Sequence, residues 1–454
     1  MGEGHKDDMA SAFAESMRGV RCAVTGGSGF VGQRLVEMAL ARGAALVVSF
    51  DVSPRPMYGP MDTDCDSDED VAALVAKAEA SGRLVYQQGD ITRLEDVERM
   101  VMGGGNSISG GDAIAVDIVY HVAALVGPFH KEETYIKVNC GGTANVIEAC
   151  KRHGVSKIVM SSSPSTRFDP WNLDITGLRE EELMFPDERT PPRKFVAEYA
   201  KTKAMGERLL RSENGSKLYT STGTPSSTTT SVNGRSGGST RKSGRIASKR
   251  SAATSSPSDH EGPSNTLLTV AVAPHQVYGP RDGLFLPNLL NAAGTGKLRI
   301  FGRGENRISM THVDNYCHAL LLAGSKLEPG STILGKFYIA TDGGSYRFWG
   351  IIDEAIIAMG YTSLWSKMHL PVFLLLFIAQ ILNVITMLTG RKFKLNEFTV
   401  KMLIIDRYFD IGNIEQDMGY KPIVNFESGW ASTIEWFQKH WLSGGTRFSA
   451  QPPR

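Results

Sequence analysis

TGGSGFVG, from Thr25 to Gly32, follows the apolar run RCAVT and opens the stretch VGQRLVEMALARG. The run reads as a strand and the stretch as a helix, so the glycines stand at a strand–turn–helix junction. Gly26, Gly29 and Gly32 keep the spacing G-x-x-G-x-x-G. Glycine permits the tight turn and lets backbone approach a pyrophosphate, which rests on the helix N-terminus at Phe30. A lone glycine motif says little, but these flanking elements give it weight.

Outward from the turn, ALVVSFD is a second strand whose last residue, Asp51, lies nineteen positions beyond Gly32. A carboxylate there accepts bonds from both ribose hydroxyls and repels a 2′-phosphate, which predicts NAD rather than NADP. A plain turn aspartate ahead of Ser53 and Pro54 is the simpler alternative, and Arg55 nearby would soften the discrimination. In QQGDITRLEDV, after the third strand, Asp90 and Ile91 are placed to meet an adenine ring. Asp90 serves equally well as a helix cap. DIVYHVAA, KIVMSSS and LLTVAVAPHQVYGP read as further strands, and CGGTANVIEACKRHG as a helix. Strands and helices alternating in this way, with unbroken apolar strands, predict an α/β fold with a doubly wound parallel sheet covered on both faces.

The chemistry-bearing segment is AEYAKTKAMGERLL. Tyr199 and Lys203 stand at i and i+4 and share one helix face. A free tyrosine titrates near ~10, too high for a general base at neutral pH. A neighbouring ammonium and a nicotinamide cation both stabilise the phenolate. Glu198 and Glu207 support a blander reading, an ordinary surface helix with charge pairs. Upstream, KIVMSSSPSTRF offers hydroxyls that can hold a substrate oxygen against Tyr199. Ser161, Ser162, Ser163 and Ser165 compete for that role, and Ser163 is the choice.

Composition bounds the rest. The 454 residues are 41% hydrophobic and 21% charged, with a net charge of +1, which argues against a nucleic-acid-binding surface. Cys22, Cys65, Cys140, Cys150 and Cys317 lack metal-ligand spacing, so they read as reduced thiols and no metal is expected. Between Asn214 and Gly262, seven basic residues face two acidic ones in a stretch dominated by Ser, Thr and Gly. It reads as a disordered insertion. Within it RKSGRIASKR resembles a nuclear address or an anionic-membrane contact, but a solvated loop is the favoured reading. Two smaller polar stretches, near Met61–Ser81 and Met102–Asp112, read as surface loops. From Met368 to Gly390 the chain is long, apolar and bounded by Lys367, Arg391 and Lys392. Membrane attachment is favoured there over a buried helix.

Together, TGGSGFVGQRLVE, GDITRLEDV, YHVAALVGP, VNCGGTANVIEAC, YAKTKAMGE and GRGENRISMTHVDN resemble the extended short-chain dehydrogenases/reductases, and within them the 3β-hydroxysteroid dehydrogenase/isomerase family. The likeness runs from about Val20 to Trp441 outside the polar insertions. It implies a Rossmann-type domain with a smaller, mixed C-terminal substrate lobe. It also implies a catalytic triad of Ser163, Tyr199 and Lys203. NAD would be held by Gly26, Gly29, Phe30, Gly32, Asp51, Asp90, Ile91, Ala123, Lys203 and Pro274. The subgroup acting on 4α-carboxysterols, with oxidation of the 3β-hydroxyl followed by decarboxylation, fits best. A 3β-hydroxy-Δ5-steroid dehydrogenase/isomerase stays open, as do a nucleotide-sugar epimerase or dehydratase and an NAD-binding protein without turnover. The resemblance further implies a sterol or steroid substrate, a homodimer, and residence at the endoplasmic reticulum membrane or lipid droplet surface. The catalytic domain would face the cytosol.

Ala273 departs from the family, which commonly has arginine there; so do Pro164 after the serines and the basic insertion. The expected organisation is a polar tail (1–17), a nucleotide-binding domain (18–213), the insertion (214–262), a return to the sheet (263–283), a substrate lobe (284–445) containing the apolar segment 368–390, and a tail (446–454).

Overall fold

The computed structural model of the chain describes residues 16–59, 61, 70–104, 115–127, 130–168, 175–183, 195–219, 265–389, 393 and 395–442. Nearly all of the N-terminal tail, the insertion from 220 onward, the part from 105 of the loop expected over Met102–Asp112 and the C-terminal tail lie outside the described residues. The start of the expected disordered insertion is instead part of the fold: Gly215 donates to the Leu267 carbonyl, and Leu218 donates to the Asn265 carbonyl and is buried.

Seven strands form one parallel sheet: β1 (Arg21–Thr25), β2 (Leu46–Asp51), β3 (Leu84–Gln88), β4 (Ile118–His121), β5 (Lys157–Ser161), β7 (Leu268–Pro274) and β11 (Phe337–Ala340). Their order is β11-β7-β5-β4-β1-β2-β3. The strands are apolar on both sides because both faces are covered. In β2, Val47 packs into one core and Val48 into the other. The first core is closed by α1 (Phe30–Ala41), α2 (Val71–Ala80) and α7 (Val313–Ser325), through residues such as Leu35, Val75 and Leu320. The second lies under α3 (Leu94–Val101), α4 (Thr143–Arg152) and α5 (Glu198–Ser212), through Val97, Val146 and Leu210. Each such side chain, fully buried, contributes ~1.5–3 kcal/mol.

Helix α2 corrects the expectation of a loop over Met61–Ser81. Asp70 caps it by accepting from the Ala73 amide at 3.0 Å. Val71, Val75 and Ala78 then face the sheet at helical spacing. The polar residues that suggested a loop precede this cap.

A smaller mixed sheet of order β12-β9-β13-β6 builds the second lobe from β6 (Ile175–Leu178), β9 (Arg307–Ile308), β12 (Tyr346–Arg347) and β13 (Arg407–Phe409). β12 runs antiparallel to β9, whereas β13 is parallel to both β9 and β6. Its core gathers Phe348, Trp349, Trp430 and Phe437 from α8 (Phe348–Ala358) and α11 (Phe426–Phe437). The chain passes between the two units repeatedly. β6 leaves the nucleotide-binding half to pair with β13, while α7 and β11 return to the large sheet.

Chain order reverses at β1, which lies between β4 and β2. Open parallel sheets present their ligand crevice there, beyond the carboxyl ends of the strands.

Candidate active site

The glycine turn sits at this reversal, and three of its glycines are required by close contacts. Gly26 has φ +73°, and a Cβ on it would stand 3.0 Å from the backbone of Ala123, which follows β4. On Gly32 a Cβ would fall 1.9 Å from the Gly26 carbonyl oxygen, so α1 can leave the turn only as it does with glycine there. Gly27, not singled out from sequence, would collide with Ser49 of β2 at 2.3 Å. Gly29 is less constrained: it is the extended residue before α1. Phe30 opens the helix and packs, half-buried, against the first core. The cradle therefore fits a pyrophosphate, with the first-turn amides of α1 as donors.

Asp51 closes β2 beside this turn. Its Oδ2 accepts from the Ser28 amide at 3.1 Å and its Oδ1 from the Ser53 amide at 3.0 Å. Each oxygen keeps a further lone pair for a ribose hydroxyl. Arg55 makes two bonds to Glu79 at 2.9 and 2.5 Å and lies over the Tyr86 ring. It is thereby turned away from the softening role considered above. Asp90 accepts from the Thr92 amide at 2.8 Å, and its own amide donates to Asp96, so it shapes the turn into α3. Ile91 points inward against Gly142, with its carbonyl held by Asn145 at 2.8 Å. Pro274 ends β7 opposite Ala340. Ala273 is fully buried among Phe168, Phe337 and Phe409, which leaves no room for the family's arginine.

Tyr199 lies in the first turn of α5 and Lys203 one turn later. Burial pushes the Tyr199 phenol up to about 12, against a hydrogen bond with Ser163 that pulls it down. Lys203, 2% exposed, donates to the Ser161 carbonyl at 2.6 Å. Burial brings its ammonium down to about 8, while Glu207 and Cys140 favour the charge. The serine cluster separates cleanly. Ser161 is bonded to Tyr316 at 2.8 Å, and Ser162 donates to Glu207 at 2.5 Å. Ser163 meets Tyr199 and lies 2.8 Å from the Ser165 hydroxyl. Pro164 causes no conflict, because it opens a short 3₁₀ turn (Pro164–Arg167) capped by Ser163, where its missing N–H costs nothing. The surface-helix reading fails for Glu207, which is 0% exposed, and holds for Glu198, which is exposed and pairs with Lys201.

Two groups of residues escaped sequence reasoning. One is a buried chain from the glycine turn to α5. Thr25 Oγ1 lies 2.9 Å from His121 Nδ1, and His121 Nε2 lies 3.0 Å from Thr143 Oγ1. Thr143 donates to the Asn139 carbonyl at 2.7 Å, so it accepts from an Nε2–H, and Nδ1 accepts from Thr25. The ring stays neutral, because burial lowers its pKa to about 3. Asn139 closes the chain by holding the Leu125 backbone at 2.8 and 3.3 Å and the Thr202 hydroxyl at 3.2 Å.

The other is Arg407 on β13. It is 8% exposed, donates from Nη2 to the Met402 carbonyl at 2.8 Å, and places Nη1 3.4 Å from His275 Nε2. Its Nε has no partner among the described residues, and burial alone lowers its pKa to about 10. His275, next to Pro274, bonds the Ser309 carbonyl at 2.7 Å and is itself neutral, since burial lowers its pKa to about 3. A buried guanidinium without a carboxylate is costly unless an anion completes it. Nothing local in RYF signals this residue; only the return of β13 to the sheet end brings it to His275.

The chain resembles known proteins over nearly its whole length. It is 26% identical over 454 residues to 3beta-hydroxysteroid-dehydrogenase/decarboxylase isoform 2 of Arabidopsis thaliana, a match that takes in 98% of this chain and 66% of that relative. Human sterol-4-alpha-carboxylate 3-dehydrogenase, decarboxylating, is 25% identical, over 92% of this chain and 88% of its own. Among solved structures, a double mutant of the dTDP-glucose 4,6-dehydratase DesIV from Streptomyces venezuelae, with NAD and DAU bound, shares the fold. Its TM-score is 0.57 at 18% identity, over 92% of this chain and 97% of that one. A model described as the 3-beta hydroxysteroid dehydrogenase/isomerase family matches residues 23–227 and 251–371. Matching on both sides of the insertion, from β1 to the threshold of the apolar segment, the chain belongs to that family and is an NAD-dependent oxidoreductase.

Proposed function

We propose that the chain oxidises the 3β-hydroxyl of a sterol carrying a 4α-carboxylate, and that carbon dioxide is then lost. The observation that carries this reading is Arg407. Among the described residues it is a buried cation without a carboxylate partner, set beside the residue that follows Pro274. A neutral steroid gives such a residue nothing to bind, whereas a carboxylate next to the reacting carbon completes it.

Ser163 donates to the substrate oxygen and holds it against Tyr199, whose phenolate takes the hydroxyl proton. Lys203 keeps positive charge near the phenolate, which must titrate far below the value of about 12 that burial imposes. NAD, when bound by the glycine turn and Asp51, supplies the acceptor for the hydride from C3. The resulting 3-keto-4-carboxylate is a β-keto acid. Its carboxyl carbon leaves as carbon dioxide, the C–C bonding pair passes into the enolate, and C4 is reprotonated. Decarboxylation thus demands no further catalytic base, only a carboxylate held by Arg407.

The test is NADH formation by the purified chain with a 4α-carboxysterol and with pregnenolone, each with NAD and NADP. Turnover of the carboxysterol with NAD, one carbon dioxide per NADH, is the expected result. Turnover of pregnenolone alone would transfer the chain to the isomerising branch.

The reading extends to a membrane. Helix α9 (Val372–Thr389) buries only Leu375 and Ala379, against Val400 of α10 (Glu397–Met402), and exposes Phe373 (76%), Phe377 (60%) and Met387 (79%). The chain enters it tethered through Leu370 to Ile300 and Gly302. With Ala379 held on the lobe, the remaining ten residues reach ~15 Å, about half of a ~30 Å hydrocarbon core. That length suits insertion into one leaflet, and Lys367, Arg391 and Lys392 supply cationic flanks. A helix confined to one leaflet also suits a droplet monolayer, so the endoplasmic reticulum or lipid droplet surface fits. In vesicle flotation with phosphatidylcholine and phosphatidylserine, the wild type rises with the lipid. The double variant Met387→Glu/Leu388→Glu stays at the bottom, still catalytically competent in detergent. Equal flotation of both proteins would contradict the assignment.

A further inference from the structure

Glu207 lies one turn beyond Lys203 on α5, fully buried, with its carboxylate at the centre of a cluster. Ser162 donates to Oε2 at 2.5 Å; Arg167 donates to Oε2 at 3.0 Å and to Oε1 at 2.5 Å. Arg211 reaches Oε1 at 3.3 Å, and the Thr166 hydroxyl lies 3.4 Å from Oε2. Thr166 in turn donates to the Ser163 carbonyl at 2.8 Å, and Arg167 lies 3.8 Å above the Phe337 ring. The short segment that presents Ser163 is therefore fastened at both ends, Ser162 and Arg167, to one carboxylate. That carboxylate belongs to the helix that presents Tyr199 and Lys203.

We propose that Glu207 is a positioning residue with two separable effects: its geometry sets the register of Ser163 against Tyr199, and its charge keeps Lys203 an ammonium in a dry site. The inference rests on the assignment of Ser163, Tyr199 and Lys203 above. The geometric effect follows from the bonds, since a displacement of about 1 Å in a reacting group costs up to ~10²-fold in rate. The electrostatic effect follows from what surrounds Lys203. Tyr199 and Glu207 stand one turn before and one turn after it on its own helix, Cys140 faces it from the π-helical stretch Ile136–Gly142 ahead of α4, His121 from β4 and the Ser161 carbonyl from β5. Of these, His121 is neutral and Cys140 is a thiol, so Glu207 supplies the negative charge. Burial pushes the Glu207 carboxyl up, but Arg167, Arg211 and Ser162 more than offset it, so it is ionised wherever Lys203 titrates. Without Glu207 the burial of Lys203 is opposed only weakly, and the ammonium loses its proton at lower pH.

Two variants separate the effects. Glu207→Asp keeps the charge but is one methylene short of Ser162. It is expected to lower kcat at least ~10-fold, with KM for NAD unchanged and the descending limb of the pH–rate profile in place. Glu207→Gln keeps the length and removes the charge, so that limb is expected to move down by about one pH unit. An NMR titration of the lysine ε-carbons, with Lys203 assigned by its loss in Lys203→Met, reads the same shift without turnover. Should Glu207→Gln not fold, Glu207→Asp and Ser162→Ala decide, the latter removing one bond from the cluster and expected to lower kcat with KM for NAD unchanged. Wild-type kcat and pH limb in the folded fraction of these variants would overturn the proposal and leave Glu207 a packing residue. An active Tyr199→Phe would overturn the underlying assignment instead, so the two failures are distinct.

Discussion

Tyr199→Phe is expected to lower kcat by at least ~10³-fold while leaving NAD affinity and folding nearly unchanged. The phenolic oxygen is the group placed to take the substrate proton, and phenylalanine keeps everything else about the ring. The structural cost is small, because the Ser163 hydroxyl keeps Ser165 as its partner at 2.8 Å. Measured by NADH formation and by NAD titration of intrinsic fluorescence, the variant should bind and not turn over. The wild-type pH profile should rise along an acid limb set by this phenol. Its pKa must drop from the value of about 12 that burial sets, because Lys203 and the nicotinamide cation both favour the phenolate. A variant retaining a tenth of wild-type turnover would remove Tyr199 from proton transfer.

What could be read from the chain, and what could not, divides along the range of the interactions. The glycine turn was legible because the demand falls on the glycines themselves. Gly26 needs a left-handed backbone, and Gly32 must clear the carbonyl of Gly26, six residues before it. Tyr199 and Lys203 were legible because an i, i+4 pair shares a face in any helix. The choice among Ser161, Ser162 and Ser163 depends instead on Tyr316 and Glu207, which no local pattern connects to the serines. Glu207 itself entered only as support for the surface-helix alternative, because its countercharge, Arg167, comes from another element. Helix α2 was hidden behind a polar approach whose last residue is its cap. The mixed lobe was expected, but its sheet recruits β6 from before the catalytic helix, a pairing that only the folded topology makes.

Arg407→Met is expected to separate the substrates. Replacing a buried cation by an apolar side chain of similar length is often neutral or stabilising, so the protein should fold and still bind NAD. Lost with the guanidinium is a charge-assisted contact to the substrate carboxylate in a site with little water. Such contacts cost ~2–5 kcal/mol when one partner is removed, and each ~1.4 kcal/mol is a factor of ten. For a 4α-carboxysterol, kcat/KM should therefore fall by about 10²–10³-fold. A 3β-hydroxysterol without the carboxyl has no partner for Arg407, so its turnover, however slow, should stay within about threefold of wild type or rise as the unpaired cation is removed. His275 accepts from Arg407 and should feel the loss of charge, but it stays neutral in either protein because burial already lowers its pKa to about 3. Lys203→Met, by contrast, should impair both substrates alike, since its work is done at the hydroxyl they share. Equal losses on the two sterols in Arg407→Met would make Arg407 a structural tie between β13 and the Met402 carbonyl, and would withdraw the main support for a carboxylated substrate.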